Sequence, residues 1–155
     1  MCGVAGFLID SQVSSSMNYD AVIKKMTDSI KHRGPDDSGS WNSFSDGVFL
    51  GHRRLSILDL SEAGHQPMES SNGRYVIAFN GEIYNHLQIR SEIEKNNNNI
   101  SWRGHSDTET ILRAFETFGV ENSIKKFIGM FAFSLWDKKN KILTLARDRL
   151  GEKPF

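Results

Sequence analysis

One cysteine, three prolines and no net charge are the scarcities of this 155-residue chain. A single thiol cannot close an internal disulfide, so nothing in the sequence asks for an oxidising compartment. Nineteen Lys and Arg side chains offset nineteen Asp and Glu, which leaves no electrostatic footprint for nucleic acid or for an anionic membrane surface. No apolar run is long enough to cross a bilayer, and the first residues lack the basic stretch and apolar core of a signal peptide. The chain therefore reads as cytoplasmic. Also missing are a Ser-Gly-Gly-x-Asp-Ser phosphate loop and a Gly-rich loop ending in Lys-Ser/Thr, so no segment binds a nucleotide by motif. His32, His52, His65, His86 and His105 lack the paired spacing of a zinc site and read as capping or packing groups, with no metal implied. At 38% hydrophobic composition the chain can bury one core and not two, which predicts a single domain over residues 1–155.

What is present switches between β and helical periodicity. Residues 3–9 form a short apolar run fit for a buried strand, and residues 18–32 space Ala21, Val22, Met26 and Ile30 along one helical face. Residues 48–58 read as a long strand. Asn72-Gly73 is a strong hairpin signal, and it leads into β-formers at 74–79. A second helix is predicted over 85–94, ended by the polar run 96–99. A third follows Ser106-Asp107-Thr108-Glu109, a capping-box pattern, with Ile111, Leu112, Phe115 and Phe118 on one face and Gly119 at its end. Residues 129–137 alternate Phe131, Phe133 and Leu135 against Met130, Ala132 and Ser134. The loop 138–141 then returns the chain into 142–146, a hairpin packed on both faces. Helices with mostly antiparallel strands, apolar on both faces, predict an α+β class of stacked layers.

The lone cysteine is the second residue. Removal of Met1 would make Cys2 N-terminal and place a thiol nucleophile two bonds from an α-amine of pKa roughly 7.7 to 8.0, able to act as its base. Asn80-Gly81-Glu82 is expected to end the strand at 74–79, where a glycine N–H beside an Asn amide could hold a tetrahedral oxyanion, although Asn-Gly is also an ordinary turn. Arg53 and Arg54 point to opposite faces of one strand, so only one of them can meet a given pocket, and an arginine there suits a carboxylate ligand or a plain ion pair equally. Asp107 in a first helical turn fits the helix dipole and could also hold an ammonium group.

The segments MCGVAGF (1–7), HRGPDDSG (32–39), GHRRLSILDL (51–60), GHQPM (64–68), FNGEIYN (79–85), SDTE (106–109), GMFAFSLWD (129–137) and ARDRLGEKPF (146–155) together resemble the N-terminal glutaminase domain of glutamine-hydrolysing asparagine synthetases, a class II amidotransferase domain, from the first residue to the last. The branches that make glucosamine 6-phosphate or phosphoribosylamine carry His-Thr-Arg-Trp where this chain has Gly51-His52-Arg53-Arg54-Leu55, which favours the asparagine synthetase branch. The resemblance implies Cys2 as nucleophile with its own α-amine as base. It implies Asn80 and Gly81 as the oxyanion hole, Arg54 on the α-carboxylate of L-glutamine, Glu82 and Asp107 near the α-ammonium, and the backbone of Ile57 and Leu58 lining the pocket. It also implies the Ntn-hydrolase fold, a four-layer αββα sandwich of two antiparallel sheets between helices.

The activity so implied is hydrolysis of glutamine to glutamate and ammonia through a Cys2 thioester. The ammonia would supply a synthetase domain or partner that this chain lacks. ATP and magnesium belong to that missing part, and no cofactor is expected in this chain. Family members continue the sandwich past Phe155, so the domain is expected to be incomplete at its C-terminal end with an unpaired sheet edge. A catalytically silent glutamine-binding remnant is the alternative, and homo-oligomerisation is left open. Papain-like chemistry is disfavoured, since no segment supplies its internal Cys and orienting Asn or Asp.

Overall fold

A computed structural model describes residues 2–10, 17–57, 59, 61–96 and 100–154. Met1, Leu58 and the polar run at 97–99, all of which carried expectations, lie outside these described residues. Two antiparallel sheets lie face to face, with helices on their outer surfaces. The first sheet takes β1 (Gly3–Leu8), β2 (Asp37–Ser43) and β3 (Val48–Arg54) in the order β1-β3-β2. The second takes β4 (Met68–Glu69), β5 (Tyr75–Ile83), β6 (Gly129–Asp137) and β7 (Ile142–Arg147) in sequence order. Helix α1 (Tyr19–Ser29) covers the first sheet, and α2 (His86–Asn96), α3 (Asp107–Phe118) and α4 (Val120–Lys126) cover the second. This is the layered α+β arrangement that the patterning predicted.

Alternation along the strands explains the layering. In β5, Tyr75, Ile77 and Phe79 face the helices and join Phe131, Phe133 and Leu135 of β6, Ile89 and Ile93 of α2 and Ile111 and Phe115 of α3 in the larger core. Val76 and Trp136, on the other face, meet Val48 and Leu50 of β3 in a small core between the sheets. Each fully buried Phe, Ile or Leu contributes about 1.5–3 kcal/mol to folding. In β3 the even-numbered residues therefore look toward the second sheet and the odd-numbered ones toward α1, where Phe49 stacks on Phe7 and meets Tyr19.

Several element boundaries differ from expectation. α1 begins at the cap Asn18, whose Oδ1 accepts the Ala21 N–H at 3.1 Å, but Ile23 and Thr27 are its deeply buried residues, not the face of Ala21, Val22, Met26 and Ile30. Thr27 can be buried because its hydroxyl donates back to the Ile23 carbonyl at 2.7 Å. β3 stops at Arg54 rather than 58, because the Arg54 carbonyl accepts the Asp36 N–H and residue 55 turns away to meet Cys2. β5 runs through Asn80-Gly81-Glu82 to Ile83, so these residues lie inside the strand and not at its end. The Ser106 cap accepts the Glu109 N–H at 3.3 Å, yet Glu109 does not close the box. Its carboxylate instead takes the N–H groups of Arg103 and Gly104 at 2.8 and 3.0 Å. β2 and α4 had no counterpart in the sequence reading.

Candidate active site

The open edge of β5 supplies the first half of the site. Because β4 is two residues long and pairs only with Val76 and Ile77, the rest of that edge has no neighbouring strand among the described residues, and the odd-numbered N–H groups point along it. The Phe79 N–H is accepted by Gln66 Oε1 at 2.7 Å, and the Ile83 N–H by Asp107 Oδ2 at 2.9 Å. The Gly81 N–H lies between them on the same edge and has no acceptor among the described residues. Asn80, 5% exposed, faces the first sheet as Val76 does, and its amide likewise has no hydrogen-bond partner among the described residues. A Cβ at Gly81 would lie 2.3 Å from the Met130 carbonyl oxygen and 2.6 Å from Phe131 Cα, so this close approach of β5 to β6 admits no side chain.

The first sheet supplies the second half. Cys2 lies at the start of β1 and turns its sulfur to the segment leaving β3, where Sγ accepts the Leu55 N–H at 3.4 Å and the thiol donates to the Leu55 carbonyl at 3.7 Å. Arg33 Nε donates to the Cys2 carbonyl at 3.0 Å, an anchoring role that the sequence reading did not assign. Arg53 faces α1, where it donates to the Thr27 carbonyl and pairs with Asp28. Arg54 faces the other way, with one Nη donating to the Ser61 carbonyl at 2.9 Å and the other to the Asp59 carbonyl. Its remaining N–H groups, of the five a guanidinium carries, have no acceptor among the described residues and can meet a ligand.

Cys2, Arg54, Asn80, Gly81, Glu82 and Asp107 border one cleft of about 100 Å³. Asp107, the first residue of α3, is 5% exposed. Burial pushes its carboxyl up to about 6, with the nearby Glu82 carboxylate adding to the rise, and burial outweighs the N–H groups that favour its ionised form. Glu82 is half-buried, and its carboxylate has no hydrogen-bond partner among the described residues. A cation placed between these two carboxylates would relieve both. Ile57 sits on the rim of the cleft and is 67% exposed, and Leu58, its expected companion, lies outside the described residues.

Other residues of the site gave no signal in the sequence because they act on backbone. His52 is fully buried, and its Nε2 donates to the Phe79 carbonyl at 2.9 Å, which fixes the tautomer and leaves Nδ1 without a partner among the described residues. Burial holds its pKa down at about 4. Gln66 accepts from Phe79 and donates to Thr108 Oγ1 at 3.4 Å. Asp59, whose pKa is held at about 2 first by the Ser61 hydroxyl, borders the cleft as well. The strand predicted over 48–58 covered His52 without assigning it a partner, and no pattern placed Asp59 or Gln66. His65 pairs with Asp37 at 2.7 Å, and among the described residues no group of His, Cys, Asp and Glu side chains is arranged to hold a metal ion.

A thiol, two unclaimed neutral donors, a guanidinium and two carboxylates in one cleft can hold a small zwitterion and attack a carbonyl carbon on it. The sequence profile of the family described as glutamine amidotransferase domain matches residues 1–155. A protein of Methanocaldococcus jannaschii provisionally named asparagine synthetase [glutamine-hydrolyzing] 2 is 39% identical across the whole chain, which covers 31% of that relative. Asparagine synthetase [glutamine-hydrolyzing] 1 of Bacillus subtilis is 38% identical, again across the whole chain and 24% of the relative. The chain thus spans about a quarter to a third of the length of these relatives. Among solved structures, glutamine phosphoribosylpyrophosphate amidotransferase from Bacillus subtilis, complexed with ADP and GMP, superposes with a TM-score of 0.52 at 21% identity, over 66% of this chain and 23% of that one. That likeness speaks to the fold.

Proposed function

Because the chain belongs to the glutamine amidotransferase domain family, we propose that it hydrolyses the side-chain amide of L-glutamine to glutamate and ammonia, with Cys2 as nucleophile. The observation that carries the reading is the Cys2 sulfur at the same cleft as the unclaimed Gly81 N–H and Asn80 amide. Arg54 takes the α-carboxylate, while Glu82 and Asp107 take the α-ammonium. Each ligand charge is then met, as burial of an unpaired charge would be costly.

The thiol gives its proton to the α-amine of Cys2, which is free once Met1 is removed, and the sulfur attacks the amide carbon. A C–S bond forms as the carbonyl oxygen gains the displaced electron pair, and Gly81 and Asn80 donate to that oxyanion. Such donors are preorganised here by the rigid β5–β6 pairing, so they cost no reorganisation in the transition state. The α-amine passes its proton to the departing nitrogen, ammonia leaves, and a thioester remains. Water then adds to the thioester, glutamate is released and the thiol is regained. The names of the relatives support a synthetase domain that consumes the ammonia. Among the described residues no helix is long and apolar enough to cross a membrane.

The test is glutamate release from glutamine by the purified chain, with and without hydroxylamine. A thioester is diverted by hydroxylamine to γ-glutamyl hydroxamate, and Cys2→Ala yields neither product. Glutamate formation that survives Cys2→Ala would refute the mechanism, and an intact chain that binds glutamine without turnover would establish the silent module instead.

A further inference from the structure

The cleft recognises two opposite charges with groups from separate parts of the fold. Arg54 ends a strand of the first sheet, and Asp107 starts a helix packed on the second. One side chain links them. Asp59 Oδ1 accepts the Ser61 N–H at 2.9 Å and the Ser61 hydroxyl at 2.6 Å, and Oδ2 accepts the His105 N–H at 2.9 Å. The carbonyls of Asp59 and Ser61 are the two groups that hold the Arg54 guanidinium. His105 lies two residues before Asp107, in the segment that enters α3. The contact is tight, since a Cβ at Gly104 would lie 2.5 Å from Asp59 Oδ2. Asp59 is itself 8% exposed, so these N–H and O–H donors replace the water that an ionised carboxylate would otherwise need.

We propose that Asp59 is a positioning residue that sets the distance between the carboxylate-binding Arg54 and the ammonium-binding Asp107, and so makes the cleft selective for an α-amino acid head group over amides that carry one charge alone. The inference rests on the functional reading above. Its physical basis is that a ligand with both charges must satisfy Arg54 and Asp107 at once, so any change in their separation weakens one contact or the other. A ligand with a single charge settles on its own partner and does not sense the spacing. Both oxygens of Asp59 are occupied by the protein, so its role runs through the two segments it ties together.

The experiment compares glutamine with two truncated amides as competitive inhibitors: glutaramic acid, which lacks the ammonium, and 4-aminobutanamide, which lacks the α-carboxylate. In Asp59→Asn one acceptor oxygen becomes an NH2 that faces an N–H or O–H donor, so the tie to Ser61 or to His105 breaks. The expected result is a glutamine KM raised at least tenfold, inhibition constants of both truncated amides within threefold of the parent, and kcat within threefold. Ser61→Ala removes the 2.6 Å hydroxyl contact to Asp59, together with the 3.2 Å bond that the same hydroxyl accepts from the Ala63 N–H, and leaves the Ser61 and His105 N–H ties in place. It should show the same pattern at three- to fivefold, which keeps the test decisive if Asp59→Asn does not fold. A parallel rise in all three constants, or an unchanged KM in a folded variant, overturns the assignment. If the parent chain itself releases no glutamate, the functional reading fails and this inference falls with it. Failure of the Asp59 variants in an active parent leaves that reading standing.

Discussion

Replacing Gly81 by alanine inserts one methyl group between two backbones. Its carbon would start 2.3 Å from the Met130 carbonyl oxygen and 2.6 Å from Phe131 Cα, roughly 1 Å inside ordinary van der Waals separation. No flexible side chain can yield there, so β5 must move away from β6 by a comparable distance. Overpacking of this kind costs about 1–3 kcal/mol. For a chain of this size that lowers Tm by roughly 2–12 °C, and the sheet survives because the rest of the nine-residue β5–β6 ladder holds it. The Gly81 N–H moves with its strand. An oxyanion donor works at about 2.7–3.1 Å, and losing one costs about a hundred- to a thousandfold in kcat. KM for glutamine should change little, because the contact is made in the transition state. Asn80→Ala removes the partner donor without displacing backbone, and it should reproduce the kcat loss with a smaller fall in Tm. Steady-state glutamate release and thermal melts of both variants make the comparison. A folded Gly81→Ala chain with kcat within threefold of the parent would show that this N–H is not an oxyanion donor.

Arg54→Lys keeps the charge but loses the planar fork, and should raise the glutamine KM at least tenfold. Arg53→Lys, directed to Asp28 and Thr27, should alter Tm alone, and a reversed result in kinetic assays would undo the assignment of the strand faces. Asp107 has a folded pKa of about 6 against an ordinary 3.8, so the folded chain binds the extra proton and stability falls as pH rises through that interval, by at most about 3 kcal/mol. Asp107→Asn should therefore melt higher than the parent at pH 7 and lose that advantage by pH 4, while its glutamine KM rises. A melting difference that does not vary with pH contradicts the buried-carboxylate account. A chain that retains Met1 should keep the Cys2 thiol and lose the terminal amine, so intact-mass spectrometry beside a glutaminase assay should find activity only in the processed form.

Much of this architecture was legible because strong local signals agreed with tertiary packing. α3 announced itself through the Ser106 cap, the face of Ile111, Leu112 and Phe115, and Gly119 at its end, and all of these sit as read. β6 was visible through the alternation of Phe131, Phe133 and Leu135, and β7 as the return strand of that hairpin, although β7 is a sheet edge with Ile142 and Leu145 exposed and is not packed on both faces as expected. β2 was invisible because Asp37–Ser43 at a sheet edge carries a single apolar side chain, Trp41, among small polar residues and a glycine, too little for an alternating pattern to show. α4 is only seven residues long and buries one serine fully. Asn80-Gly81 read as the end of a strand, with an ordinary turn as the alternative, because local propensity favours a break there, whereas the ladder to β6 and the Gln66 and Asp107 acceptors on either side hold it extended. The residues of the cleft could be placed by family resemblance and by residue chemistry. Arg33, His52, Asp59 and Gln66 could not, since each acts on a main-chain group whose position only the fold specifies.

The cleft is divided between the two sheets: Cys2 and Arg54 belong to the first, and Asn80, Gly81, Glu82 and Asp107 to the second and its helices. The small core of Val48, Leu50, Val76 and Trp136 joins the sheets, while the second sheet and its helices share the far larger one. Local openings follow the thinnest packing. The seam between the sheets is therefore where this fold should part first under mild denaturant, and parting there carries the thiol away from the oxyanion donors while α3 and its sheet remain intact. Hydrolysis should thus cease before helical signal is lost, and a nascent or damaged chain with a disengaged first sheet would have no means of cleaving glutamine.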